Sequence, residues 1–103
     1  MWAQLISSRL KPGTEGRLPE LFGHLESAEQ ADSGLLRSTA FQEQGDPSRL
    51  HMLVVFESEE QARAREDDPR REEGLAAARA VMGEILDGPP EFTDLTVVYD
   101  KAH

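Results

Sequence analysis

The stretch HMLVVF, His51 to Phe56, decides the fold. Five of its six residues are apolar, so as a strand it is greasy on both faces and needs cover on each. Ser58-Glu59-Glu60-Gln61 follows it and fits a capping box, which predicts a helix start and stops the strand near Glu57. Upstream, Leu35 to Gln44 alternates, with Leu35, Arg37, Thr39 and Phe41 on one face and Leu36, Ser38, Ala40 and Gln42 on the other. Between the two runs lies Gly45-Asp46-Pro47-Ser48, a turn signal, so the spacing predicts an antiparallel hairpin.

Working outward, Leu5, Ile6 and Leu10 stand among polar residues over positions 2–11, and Pro12-Gly13 closes this first strand. Leu18, Leu21, Phe22, Leu25 and Ala28 then fall at three-and-four spacing. This predicts a helix capped by Thr14, with Pro19 tolerated in its first turn, ending near Ala31 ahead of Asp32-Ser33-Gly34. After the hairpin, Asp67-Asp68-Pro69 breaks the second helical region into a short piece, 59–66, and a longer one, 70–86. The longer piece carries a stripe of Leu75, Ala78, Met82 and Ile85. Asp87-Gly88-Pro89-Pro90 ends it, and Phe92 to Tyr99 reads as a last strand, apolar on both faces through Leu95, Val97, Val98 and Tyr99.

Strand, helix, strand, strand, helix, strand is the order of an α+β, ferredoxin-like chain. It predicts one four-stranded antiparallel sheet, with the second and fourth strands outermost and the helices on one face. Yet Leu53 and Val55 oppose Val54 and Phe56, and Leu5 opposes Ile6, so the helices shelter only half of the apolar surface. Leaving about eight such side chains in water forgoes roughly 1.5–3 kcal/mol each, a loss comparable to the whole stability of a small domain. A second copy packed face to face about a two-fold axis is the simplest cover. A homodimer through the open sheet face is therefore expected; shelter by the chain's own loops is the alternative.

Composition narrows the chemistry. The 103 residues suit one domain, positions 1–103, and 38% hydrophobic with 30% charged residues suits an ordered core without a membrane span. The amino terminus MWAQLISSRLK shows no signal-peptide pattern, so a cytoplasmic location is expected. Without cysteine there is no disulfide framework, thiolate nucleophile or Cys-based metal site. A net charge of −9, with bases interleaved among acids as in RAREDDPRREE, repels polyphosphate and argues against a nucleic-acid partner.

The opening strand followed by KPG, SGLLRSTAF before the hairpin, VVFESEEQARA at the strand-to-helix junction and the final GPPEFTDLTVVY together resemble the antibiotic biosynthesis monooxygenase-like family. The resemblance covers essentially the whole chain. It implies a dimeric α/β barrel with a pocket in each subunit between sheet and helices. Where such proteins are catalytic, in cofactor-independent oxygenation of polyketide phenols or in haem degradation, the resemblance implies a site of asparagine, tryptophan and histidine or tyrosine. This chain has no asparagine, carries Phe56 at the end of the third strand where tryptophan is common, and has the charged run Arg63 to Asp68 where histidine is common.

His51 is the first candidate for chemistry, as a general base beside a largely apolar strand; a half-exposed histidine satisfied by its neighbours is the alternative. Arg37 can hold a carboxylate or enolate bidentately, or form an ordinary edge-strand ion pair. Tyr99 can donate to a ligand oxygen from the last strand. Trp2, Phe22, Phe41, Phe56 and Met82 are the expected ligand-binding lining, with His24 on a helix flank. His24, His51 and His103 are too scattered for a metal site, and no glycine-rich phosphate cradle is present. No cofactor is expected. The reading is a small-molecule-binding homodimer, a cofactor-independent monooxygenase on aromatic polyketide-like substrates; a non-catalytic ligand-sensing or interaction module of the same fold is the alternative.

Overall fold

The computed structural model describes residues 1–103. Its strands are β1 (Trp2–Arg9), β2 (Leu35–Gln42), β3 (Arg49–Phe56) and β4 (Glu91–Thr96); its helices are α1 (Leu18–Ala28), α2 (Glu59–Glu66) and α3 (Glu72–Ile85). Single 3-10 turns, Glu15–Arg17 and Pro69–Arg71, lead into α1 and α3. The strands form one antiparallel sheet in the order β2-β3-β1-β4, the ferredoxin-like arrangement expected from the order of elements.

Local chemistry sets the boundaries, with some departures from expectation. Ser58 starts α2 by accepting from the Gln61 N–H at 3.2 Å, but the Gln61 amide does not complete a reciprocal box. Its Oε1 accepts from the Ser58 hydroxyl and its Nε2 donates to Glu57. Thr14 caps nothing; its hydroxyl donates to the Lys11 carbonyl at 2.7 Å and closes the Pro12-Gly13 turn. Asp68 caps the turn before α3, accepting from the Arg70 N–H at 2.9 Å, which fits Pro69 in first position. Helix α1 ends at Ala28 instead of near Ala31, because Glu29 turns to extended backbone and gives its carboxylate to Arg65. Strand β4 ends at Thr96, short of Tyr99, for want of a neighbour: Thr96 already pairs with Trp2, where β1 begins. Val98 and Tyr99 lie beyond it, 93% and 75% exposed.

The register sorts the side chains into rows, since residues directly opposite share a face. One face carries the rows Ser38–Val54–Gln4–Asp94 and Ala40–Met52–Ile6–Phe92, with Gln42–Leu50–Ser8 below. The helices pack on this face over β1 and β3, while Ser38, Ala40, Gln42, Phe92 and Asp94 on the outer strands stay exposed. The other carries Arg37–Val55–Ala3–Leu95, Thr39–Leu53–Leu5–Thr93 and Phe41–His51–Ser7–Glu91, and no helix packs on it. Phe41 there is 49% exposed.

Beneath the helices the core divides. The larger cluster joins Leu18 and Leu21 of α1 and Ala78, Val81 and Ile85 of α3 to Leu10, Leu50 and Leu86 at one end of the sheet. The smaller one, Trp2, Val54 and Phe56 under Ala62 of α2, closes the other end. Helices α1 and α3 meet closely at Gly74, where a Cβ would stand 2.8 Å from Ala28 Cα. Gly34, at φ +80°, combines left-handed backbone with a similar close approach to Gln61.

Since backbone cannot give way as a flexible side chain can, Gly74→Ala is expected to lower stability by about 1–3 kcal/mol through overpacking. Urea titration should show a lower midpoint with an unchanged slope; an unaltered midpoint would mean the helices part without cost.

Candidate functional site

Between the two clusters the helices stand away from the sheet and leave a cavity of about 850 Å³. Its floor is the helix-side rows: Gln4, Ile6 and Ser8 from β1, Leu50, Met52 and Val54 from β3, and Ser38 and Ala40 from β2. Phe92, exposed at the β4 edge, marks one margin. Phe22 and Leu25 of α1 with Leu75 and Met82 of α3 form the roof. Hydrophobic residues make up 13 of the 23 that line it, so an occupant needs a largely apolar body.

One end is different. Arg65, Arg71 and Arg79 reach the lining there, with Glu26, Glu29 and Glu66. Arg65 is locked: its Nε donates to both Glu29 oxygens at 3.0 Å, its Nη2 to Oε2 at 2.6 Å, and its guanidinium lies 5.2 Å from the Phe56 ring centre. Burial pushes the Glu29 carboxyl up, but the hydrogen bonds from Arg65 and Ser33 together bring it below the usual carboxylate range. Arg79 pairs with Glu72 at 3.1 Å on the surface. Arg71 is only 9% exposed; its Nη1 donates to the Arg65 carbonyl at 3.3 Å, and its buried Nε has no partner. Desolvation, reinforced by Arg65, lowers its pKa.

Polar contacts tie β4 to β1 and α2 beside the cavity. Gln4 Nε2 donates to Asp94 Oδ1 at 3.0 Å and Arg63 Nη2 to Asp94 Oδ2 at 2.8 Å, while Arg63 lies 5.0 Å over the Trp2 ring. These bonds, Gln4 first, hold the Asp94 carboxyl below its ordinary value. A smaller polar cavity of about 210 Å³ adjoins Arg71 on its other side, and Arg70 spans it by pairing with Asp32 at 3.0 Å and Asp68 at 2.6 Å.

Of the residues singled out from sequence, Phe22 and Met82 line the cavity. Trp2 and Phe56 lie on the same sheet face but pack on each other, ring centres 6.1 Å apart, in the small cluster. Arg37, Phe41 and His51 belong to the open face, across the sheet from the cavity. There His51 Nδ1 lies 3.0 Å from the Ser7 hydroxyl and Nε2 2.7 Å from Glu43 Oε2, so both ring nitrogens are engaged. Tyr99 is outside the sheet. The structure therefore does not bring His51, Arg37 and Tyr99 together. No three acidic or histidine side chains converge as a metal site. The residue that sequence reasoning missed is Arg71, and a signal existed: counting back from Ile85, Met82, Ala78 and Leu75, the next position on the stripe is Arg71, a charge where the pattern demands an apolar residue.

Sheet, helices and cavity define a ferredoxin-like α+β protein with an apolar chamber on its helix side. The model of the antibiotic biosynthesis monooxygenase family matches residues 1–77, and the chain belongs to that family. No curated protein matches it in sequence. Among solved structures, a candidate antibiotic biosynthesis monooxygenase from Nitrosomonas europaea superposes with a TM-score of 0.75 at 15% identity, covering 96% of this chain and 100% of that one. One from Chloroflexus aurantiacus gives 0.67 at 23% identity, covering 99% and 98%. An MhuD variant, which holds two manganese protoporphyrin IX molecules per active site, gives 0.72 at 17% identity over the whole of both chains. At these identities the likeness is one of fold. This chain's cavity has no histidine on its lining to ligate a haem iron.

Because the folded-state pKa of Glu29 is depressed, its stabilisation is present above the unfolded value of about 4.3 and is lost as pH falls through the folded one. Glu29→Gln is expected to lower stability by about 1–3 kcal/mol at pH 7, by stranding the half-buried Arg65. It should also flatten the fall in urea midpoint between about pH 5 and pH 3. An equally steep fall in the variant would show that Glu29 is not a source of the acid sensitivity.

Proposed function

We propose that the protein works as a homodimer that binds a small aromatic, polyketide-like molecule in the helix-side cavity of each subunit. The observation that carries this is the cavity itself: its volume lies in the range of small-molecule sites, its walls are mainly apolar, and few polar groups enter it. The open sheet face supports the dimer. Leu5 and Leu53 form its centre, with Val55, Phe41 and Leu95 around them, an apolar patch that a monomer would leave wet. On this reading Arg37, Phe41 and His51 serve the subunit interface.

Family membership supports a second reading, oxygenation of the bound molecule without a cofactor. The lining favours binding over catalysis, because the cavity has no histidine or tyrosine to take a proton from a phenol. Arg71, Gln4 and Ser8 offer hydrogen-bonding and charge, which suit holding a ligand.

Light scattering after size exclusion should give twice the 11.5 kDa chain mass, and Leu53→Asp should give the monomer. A wild type that elutes as a monomer at micromolar concentration would remove the dimer. Met82→Trp, by filling the roof, is expected to weaken calorimetrically measured binding of hydroxylated anthrones about tenfold or more while the fold persists. Oxygen uptake with those compounds, lost in Met82→Trp, would identify the monooxygenase; binding without uptake would identify the ligand-holding module.

A further inference from the structure

We propose that Arg71 is the anion anchor of the helix-side cavity, and that the ligand it selects is an apolar aromatic body bearing one ionised oxygen group, a carboxylate or an acidic enol. This rests on reading the cavity as a ligand site and adds to it the charge of the occupant.

The chain has 20 acids against 11 bases, so carboxylates are in surplus. The arginines around the cavity use them: Arg63 pairs with Glu59, Glu66 and Asp94, Arg65 with Glu29, Arg70 with Asp32 and Asp68, and Arg79 with Glu72. Arg71, more deeply buried than any of these, has no carboxylate within ion-pair distance. A buried charge without a counter-ion is disfavoured, so its retention requires a reason.

Geometry supplies one. Of the guanidinium nitrogens only Nη1 is engaged, by the Arg65 carbonyl. Nε and Nη2 carry no bond; Nε is enclosed, so Nη2 is the donor left for an anion that enters the chamber. Nearby acids do not compete for it. Glu29 is held by three hydrogen bonds to Arg65, Glu66 by Arg63, and Glu26 stands exposed on α1. Just ahead of α3 and in phase with its stripe, Arg71 lines the chamber with Leu75, at the charged end of an otherwise apolar space. A molecule that fits both ends is amphipathic, with one negative group.

A matched pair of fluorescent probes tests this: 8-anilinonaphthalene-1-sulfonate, whose sulfonate stands in for the ionised oxygen group, and N-phenyl-1-naphthylamine, the same rings without it. Wild type is expected to bind the anion more tightly. Arg71→Met should weaken the anion about tenfold or more and the neutral probe by less than about twofold. Arg71→Lys, which keeps the charge but presents a shorter side chain without the planar guanidinium, should fall between. Lys11→Met makes the same change in net charge on an exposed residue outside the cavity and should alter neither, with circular dichroism confirming the fold throughout. Equal binding of both probes, unaffected by Arg71→Met, would overturn the anchor and leave the cavity as a neutral-ligand site. Parallel loss of both in Arg71→Met would make the residue a structural strut, and overturn it too. Failure of wild type to bind either probe would remove the ligand site itself, and the anchor with it.

Discussion

Strand β3 must be apolar on both sides, and the rest of the structure arranges itself around that demand. It lies inside the sheet, between β1 and β2, so Leu50, Met52, Val54 and Phe56 point to the helices while Leu53 and Val55 point away. The first set finds partners in α1, α2 and α3. The second has only its neighbours in the row, Leu5 and Ala3 of β1, and an open side. Hydrophobic burial is non-directional, so the chain's own helices satisfy one face and not the other.

The cavity follows from how the helices satisfy each other. With Gly74 bringing α3 onto Ala28, α1 and α3 pack as a pair, and they close on the sheet only where Leu10, Leu50 and Leu86 rise to meet them. At the other end α2 lowers Ala62 onto Trp2 and Phe56. Small side chains in the middle of the floor, Ser8, Ser38 and Ala40, leave the space between unfilled. A chamber of this kind comes from the spacing of contacts at its two ends, and its shape is as much a product of Gly74 as of the residues that line it.

Much of the fold was legible because it is encoded in periods. The alternation through HMLVVF, the turn at Gly45-Asp46-Pro47-Ser48, the stripe from Leu75 to Ile85 and the break at Pro69 each act within a few residues and appear in the structure close to where they were read. The extents of β4 and α1 were less legible, since each end depends on a distant partner, β1 for one and Arg65 for the other. The candidate site was harder still. Alternation groups Leu35 with Arg37, Thr39 and Phe41, but a bulge after Leu35 turns Leu35 to the helix side; nor does alternation say which face the helices take, so His51 and Arg37 could be grouped by parity yet not assigned to a cavity. Arg71 was obscured for a different reason: within REDDPRREE it looks like one more solvated charge, and only the phase of α3 distinguishes it from Arg70.

The early end of β4 also bears on how the molecule avoids uncontrolled association. With β1 on one side only, its outer edge presents unpaired N–H and C=O groups, the usual template for fibril growth. Glu91 and Asp94 sit on opposite faces of this short strand, and Pro89-Pro90 immediately before it cannot donate to a ladder. Any strand docking on that edge would meet Glu91 on one side and the Asp94–Arg63 ion pair on the other, so this open border is also a guarded one.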